Sequence, residues 1–133
     1  MAIILDADVI IRGERGKFDL GRWLSARAED QFEIAAITVA ELWHGVERAT
    51  GSHRLRRQRY LEAMVAVLPV IPYAEQTAYE HARIWADADA RGRMIGYYDL
   101  IVATTALERG SQVATFNPRH FSQIAGLSIV EPA

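Results

Sequence analysis

Asp6, Glu41, Asp99 and Asn117 carry oxygen-bearing side chains at comparable places along the sequence. Asp6 closes the apolar run Ala2-Ile3-Ile4-Leu5, Glu41 and Asp99 fall in the first turns of predicted helices, and Asn117 follows a later apolar stretch. Three acids and an amide are hard oxygen donors. Mg²⁺ asks for such donors, usually one or two carboxylates with several retained waters, so the set suits a divalent cation. Each residue also has a local reading. Asp6 and its neighbour Asp8 can turn the chain or cap a helix. Thr38-Val39-Ala40-Glu41 spells a capping box, in which Glu41 would bond the backbone of Thr38. Asp99 suits the positive end of a helix dipole, worth about 0.3–1 kcal/mol. Asn117 before Pro118 suits a turn. The two readings part on whether these residues return to one edge of the fold.

The elements that must position them are legible as patterns. The first apolar run is short, unbroken and β-branched, as a central parallel strand buried on both faces would be, so Asp6 lies at a strand's carboxyl end. Val9 to Arg12 makes a short helical turn ended by Gly13 and Gly16, and Phe18 to Arg27 an amphipathic helix. A second strand is predicted over Phe32–Ile37, and Thr38 starts the next helix. Ser52 caps a fourth helix that turns Leu55, Leu61, Met64, Val65 and Leu68 inward, and Pro69 ends it. Val70 and Ile71 form a brief third strand; helices follow over Glu75–Ala90 and Tyr97–Glu108, joined by a loop over Arg91–Gly96. The second of these is apolar almost all round and belongs in the interior. Gly110 stops it, Gln112–Phe116 is a fourth strand, His120, Phe121 and Ile124 fit a short helix, and Leu127–Val130 is the last strand. This alternation predicts an α/β domain with a mainly parallel five-stranded sheet flanked by helices.

Composition narrows the functions. The 133 residues, 50% of them hydrophobic, fit one domain over 1–133 with ample core. A net charge of −2 excludes an overall basic field, so any nucleic-acid contact must be local. Lys17 is the one lysine, and the other basic residues are arginines, which suit bidentate contact with carboxylate or phosphate. Without cysteine there is no disulfide and no thiolate nucleophile. No apolar run approaches the roughly 18 residues of a membrane span, and a cytoplasmic, soluble protein is expected.

Taken together, four stretches resemble the successive motifs of PIN-domain proteins, specifically VapC-type toxins. They are Leu5-Asp6-Ala7-Asp8-Val9, Ile37-Thr38-Val39-Ala40-Glu41-Leu42, Ile95-Gly96-Tyr97-Tyr98-Asp99-Leu100-Ile101-Val102-Ala103 and Thr115-Phe116-Asn117-Pro118-Arg119-His120-Phe121. The resemblance covers essentially the whole chain and implies a three-layer PIN fold. It further implies an endoribonuclease dependent on Mg²⁺ or Mn²⁺, paired with a small VapB-like antitoxin that blocks the site and lends the complex its DNA binding. A homodimer is implied as well, with Trp43, Val46, Tyr60 and Leu61 as apolar residues beyond what one small core needs.

By motif position Asp6, Glu41 and Asp99 take the family's acidic metal-site roles, with little neutralising charge nearby. Asp8 stands where the family commonly has Asn. Asn117 stands where many relatives have an acid, able to position water or coordinate weakly but not to replace a charge. Thr115 resembles the family's hydroxyl near the site. Two other functions fit parts of the pattern. Asp6-x-Asp8 after an apolar strand is also the nucleophile motif of haloacid-dehalogenase-type phosphatases, although their downstream lysine is missing, and a catalytically silent PIN scaffold would act only by binding. Arg54, Arg56, Arg57 and Arg59 form a cluster that either guides RNA, meets an acidic antitoxin segment or is a solvated helix face. The histidines at 44, 53, 81 and 120 lack metal-ligand spacing and read as structural or exposed. Trp43 and Trp85 read as core or interface residues.

Overall fold

In the computed structural model, which describes residues 1–133, Ile3, Ile4 and Leu5 have no exposed surface. They form β1 (Ala2–Leu5), the central strand. After it come α1 (Ala7–Glu14), α2 (Leu20–Ala26), β2 (Gln31–Ala35), α3 (Ala36–Arg48), α4 (Gly51–Val67) and β3 (Val70–Ile71). The chain continues through α5 (Glu75–Ala90), α6 (Tyr97–Arg109), β4 (Gln112–Ala114), α7 (Pro118–Phe121) and β5 (Ile129–Val130). The strands order as β3-β2-β1-β4-β5, every neighbouring pair parallel, as expected.

Alternation along the strands divides the interior into two cores, giving three layers. Ile3 and Leu5 face a core built with Val9, Leu20, Leu42, Val46 and Leu61 from α1 to α4. Ile4 and Val113 face the other, with Leu100, Val102, Ala103 and Phe121 from α6 and α7. Each fully buried aliphatic side chain contributes roughly 1.5–3 kcal/mol of transfer free energy. Helix α6 is interior from Leu100 to Ala106, while Tyr97 and Tyr98 at its start are exposed. Its far end carries Arg109, which forks onto both oxygens of Glu33, a buried carboxylate on β2.

Several expectations are corrected. Gly13 does not break α1, which runs through it to Glu14; the lack of a side chain there makes room for α2 and α4, since a Cβ would sit 2.7 Å from the Tyr60 hydroxyl and 2.9 Å from Leu20 Cβ. The break comes at Gly16, whose φ of 70° is the left-handed region that glycine adopts freely. Strand β2 stops at Ala35, where its pairing with Ile71 of β3 ends, so α3 starts at Ala36 and Thr38 is inside the first turn. No capping box forms: Thr38 Oγ1 has no partner. Helix α4 starts at Gly51, before Ser52, and Leu55 is 49% exposed because the helix buries only Leu61 completely. Strands β4 and β5 are shorter than expected, since pairing between them is confined to Val113↔Ile129 and Ala114↔Val130. Val46 and Leu61 belong to the core, and Trp43 and Tyr60 pack against it, so none of the four is spare apolar surface.

Candidate active site

The register of β1 and β4 sets the site. Leu5 pairs with Ala114, and Asp6 N–H donates to the Ala114 carbonyl at 2.9 Å, so Asp6 and Thr115 leave the sheet side by side. The strand order reverses at β1, which has β2 on one side and β4 on the other, and ligands in such sheets bind outside the carboxyl ends at that switch. Asp6, 6% exposed, is doubly held: Oδ1 accepts from Ala7 N–H at 2.9 Å and Oδ2 from the Thr115 hydroxyl at 2.9 Å. It therefore caps α1 and faces the crevice at once. Asp8, on the first turn of α1, accepts through Oδ2 from Phe116 N–H at 3.0 Å and from Asn117 Nδ2 at 2.7 Å. Asn117 N–H in turn donates to Thr115 Oγ1 at 3.0 Å.

Glu41 reaches the same edge from α3, and Asp99 from the first turn of α6. Their electrostatics place all four carboxylates in one neighbourhood. Burial pushes Asp6 up to about 7, with Asp8 and Asp99 adding to the rise and the Thr115 hydroxyl opposing it. Burial also raises Glu41 to about 7, followed by repulsion from Asp6, Asp99 and Asp8. Asp8 and Asp99 are raised by burial too; the Phe116 amide and Arg12 oppose the rise at Asp8, and His120 opposes it at Asp99. Neutralising charge is thus nearer than expected.

Glu41 Oε1 and Asp8 Oδ1 are buried without any hydrogen-bond partner. An unmet buried acceptor costs about 1–3 kcal/mol, more when charged, so these oxygens fit a group that brings positive charge or donors. No three acidic or histidine side chains are drawn in tightly enough to enclose a bare ion. A cation retaining waters needs only one or two carboxylates in direct contact, so the hard oxygen set still fits one.

The geometry extends one reading and corrects another. Asn117 donates through Nδ2 to Asp8 at 2.7 Å. His120, read only as structural or exposed, is exposed yet part of the site, with Nδ1 3.0 Å from Asp99 Oδ2. The signal available beforehand was its place three residues after Asn117, on the turn that becomes α7. A cleft of about 580 Å³ opens beside Asp99, lined by Met94, Gly96, Asn117, Arg119 and His120 among others. His81, by contrast, is structural: it is buried and its Nδ1 is 2.7 Å from the Tyr73 hydroxyl. Trp43 packs on the core; Trp85 is 42% exposed, stacked on His81 and edge-on to Tyr97.

A parallel three-layer sheet with crowded carboxylates at its carboxyl edge defines an α/β protein with an acidic, cation-competent crevice. The chain belongs to the PIN domain family, whose model matches residues 3–127. It is 30% identical over 131 residues to Ribonuclease VapC1 of Rickettsia felis, covering 98% of this chain and 96% of that one. Over 96 residues it is 33% identical to the tRNA(fMet)-specific endonuclease VapC of Salmonella typhimurium, covering 72% of this chain and 71% of the relative. A chain in the crystal structure of DNA-bound VapBC from Salmonella typhimurium superposes with a TM-score of 0.89 at 27% identity, covering 98% of both chains. The assignment displaces the phosphatase alternative.

Proposed function

We propose that this chain is the endoribonuclease toxin of a type II toxin-antitoxin pair, hydrolysing RNA phosphodiesters at the acidic crevice. The observation that carries the reading is the convergence of Asp6, Glu41 and Asp99 on the carboxyl edge of a PIN domain, with Glu41 Oε1 buried and unpartnered. The relatives' names support it, one being a ribonuclease and another a tRNA-specific endonuclease. Residues 1–133 are taken as one PIN domain, since β5 at Ile129–Val130, beyond the matched 3–127, completes the single sheet.

Divalent-metal dependence is general among PIN-domain ribonucleases, and Mg²⁺, with Mn²⁺ as its substitute, is the proposed ion. Asp6, Glu41 and Asp99 would hold it, and when bound such an ion lowers the pKa of a water and neutralises charge on phosphoryl oxygens. The chain's own groups supply the rest. Thr115 and the Ala7 amide fix the Asp6 carboxylate in orientation. Glu41 orders the attacking water through Oε1. Asn117 and the Phe116 amide hold Asp8 at the edge, and His120 steadies Asp99.

The partner proposed is a small antitoxin, because the DNA-bound relative is a two-component VapBC complex. DNA is then bound only through the antitoxin. An antitoxin arginine laid against Asp6, Glu41 and Asp99 would form a charge-assisted pair and block the site. The chain also pairs with itself; exposed Tyr79, Trp85, Met94 and Tyr97 supply apolar surface for a homodimer, which light scattering would report. No helix is long and apolar enough to cross a membrane.

The test is cleavage of a structured RNA, with the initiator tRNA tried first, in Mg²⁺ or Mn²⁺ and in EDTA. Wild type should cleave only with metal, and Asp99→Asn should lose at least about a hundredfold in rate while remaining folded in thermal melts. Cleavage that survives both EDTA and the substitution would overturn the reading.

A further inference from the structure

Beside Glu41, in a cleft that Asp99 does not line, the surface changes sign. A cleft of about 370 Å³ between α3 and α4 is lined by Glu41 itself, His44, Gly45, Arg48, His53 and Arg57, with Ala49 its one apolar member. A second cleft of about 330 Å³ shares His53 and Arg57 with it and continues to Arg15 and Arg56. The two form one basic strip that starts at a carboxylate of the acidic site. On α3 the spacing Glu41, His44, Arg48 places all three on one helix face, Arg48 about 10 Å along the axis from Glu41.

The strip's charge is available. Arg57 is committed, its Nε 3.2 Å from Glu14 Oε1 with both side chains mostly buried, and its guanidinium lies across α3 where a Cβ on Gly45 would be only 2.7 Å away. Arg54 is paired with Glu47 at 3.3 Å. Arg15, Arg48 and Arg56 are exposed, and none of the ion pairs in the structure engages them. A chain of net charge −2 has therefore gathered unpaired guanidinium groups on one flank of its acidic site.

We propose that this α3–α4 strip, through Arg48 and Arg56, grips the phosphates of the RNA strand on one flank of the scissile bond. The inference rests on the ribonuclease reading and goes beyond it by assigning a substrate-binding surface outside the acidic crevice. An RNA presenting a phosphate to Glu41 and Asp99 must leave the crevice along the chain, and the strip begins at Glu41. Guanidinium forks match phosphate oxygens in pairs. A docked helical peptide would need apolar anchors, and the strip offers only Ala49 and Tyr60. Phosphate contacts position a strand without reading its bases, so the strip sets placement and strength of grip rather than sequence preference.

The test uses the full chain carrying Asp99→Asn, so that RNA is bound and not consumed, with fluorescence anisotropy of a labelled single-stranded RNA in Mg²⁺ over a KCl series. Adding Arg48→Gln and Arg56→Gln should weaken binding about tenfold at low salt. It should also flatten the slope of log affinity against log salt by roughly 1.4, about 0.7 for each phosphate left without its guanidinium. Arg48→Lys with Arg56→Lys should restore most of the slope, which a merely structural role would not do. Both positions are exposed, and melts verify the fold. Unchanged affinity and slope would overturn the proposal while metal-dependent cleavage by the wild type left the ribonuclease reading standing. Loss of antitoxin binding with RNA binding intact would make the strip a peptide dock and overturn it too. Absence of both RNA binding and wild-type cleavage would defeat the ribonuclease reading, and the strip with it.

Discussion

Asn117 Nδ2 donates a 2.7 Å hydrogen bond to Asp8 Oδ2, tying the turn after β4 to the first turn of α1 across 109 positions of sequence. The pairing gives the amide a definite task. Where a second acid would face Asp8 with like charge, Asn117 offers a donor, so Asp8 is held as an oriented carboxylate at the rim of the crevice.

Asn117→Asp should therefore destabilise the metal-free protein by roughly 1–3 kcal/mol, from the lost donor plus the added repulsion. Melting in EDTA should fall by about 5–10 °C and recover in part when Mn²⁺ or Mg²⁺ is added. Equal melting of variant and wild type in EDTA would count against this role.

The acidic cluster makes metal-free stability depend on pH with a definite sign. Glu41 rises from its ordinary 4.5 to about 7 and Asp6 from 3.8 to about 7, so between those values the folded chain binds more protons than the unfolded one. Stability from these groups then falls as pH rises from about 4 to about 7. Allowing for solvent screening at Glu41, its share is on the order of 1–2 kcal/mol. Glu41→Gln should flatten that decline, as seen in EDTA melts at pH 5 and pH 8, and should be the more stable protein at pH 8.

Thr115 has no exposed surface, and its hydroxyl is the only side-chain donor to Asp6. Thr115→Val removes that donor and leaves Asn117 N–H without its acceptor, a cost of about 1–3 kcal/mol. Because the hydroxyl holds the Asp6 value down, its loss should carry Asp6 further above about 7. In the metal-free protein the Asp6 carboxyl titration, followed by NMR, should shift to higher pH, and an unmoved titration would show that Thr115 acts only on the fold.

Glu33 and Arg109 join β2 to the end of α6, well away from the acidic edge. Arg109→Ala strands a buried carboxylate and should cost about 3 kcal/mol, whereas Glu33→Leu with Arg109→Leu should recover most of it. Cleavage per folded molecule should be unchanged in both, which a denaturation series run beside the nuclease assay would check.

What the sequence alone determined was local. An unbroken run such as Ile3-Ile4-Leu5 reads as buried on both faces, and a long helix from about Glu75 to Ala90 was legible as α5. Alternating strands and helices then forced a parallel sheet, and motif order led to Asp6, Glu41 and Asp99. Exact starts were less legible, since α3 begins where the β2–β3 ladder ends, and pairing with a strand some 35 residues away leaves no mark on Ala36. Gly13 looked like a breaker because spacing cannot tell a glycine that ends a helix from one that admits Tyr60 and Leu20.

The meetings between elements were decided only by tertiary structure. His120 reaches Asp99, Asn117 reaches Asp8, and Arg48 joins Arg56 along one strip beside Glu41, because β4 pairs with β1 and α4 packs back on α3. Periodicity encodes which face of an element is buried. It does not encode which polar side chains confront one another where two elements cross, and in this protein those confrontations orient the carboxylates and set the charge around them.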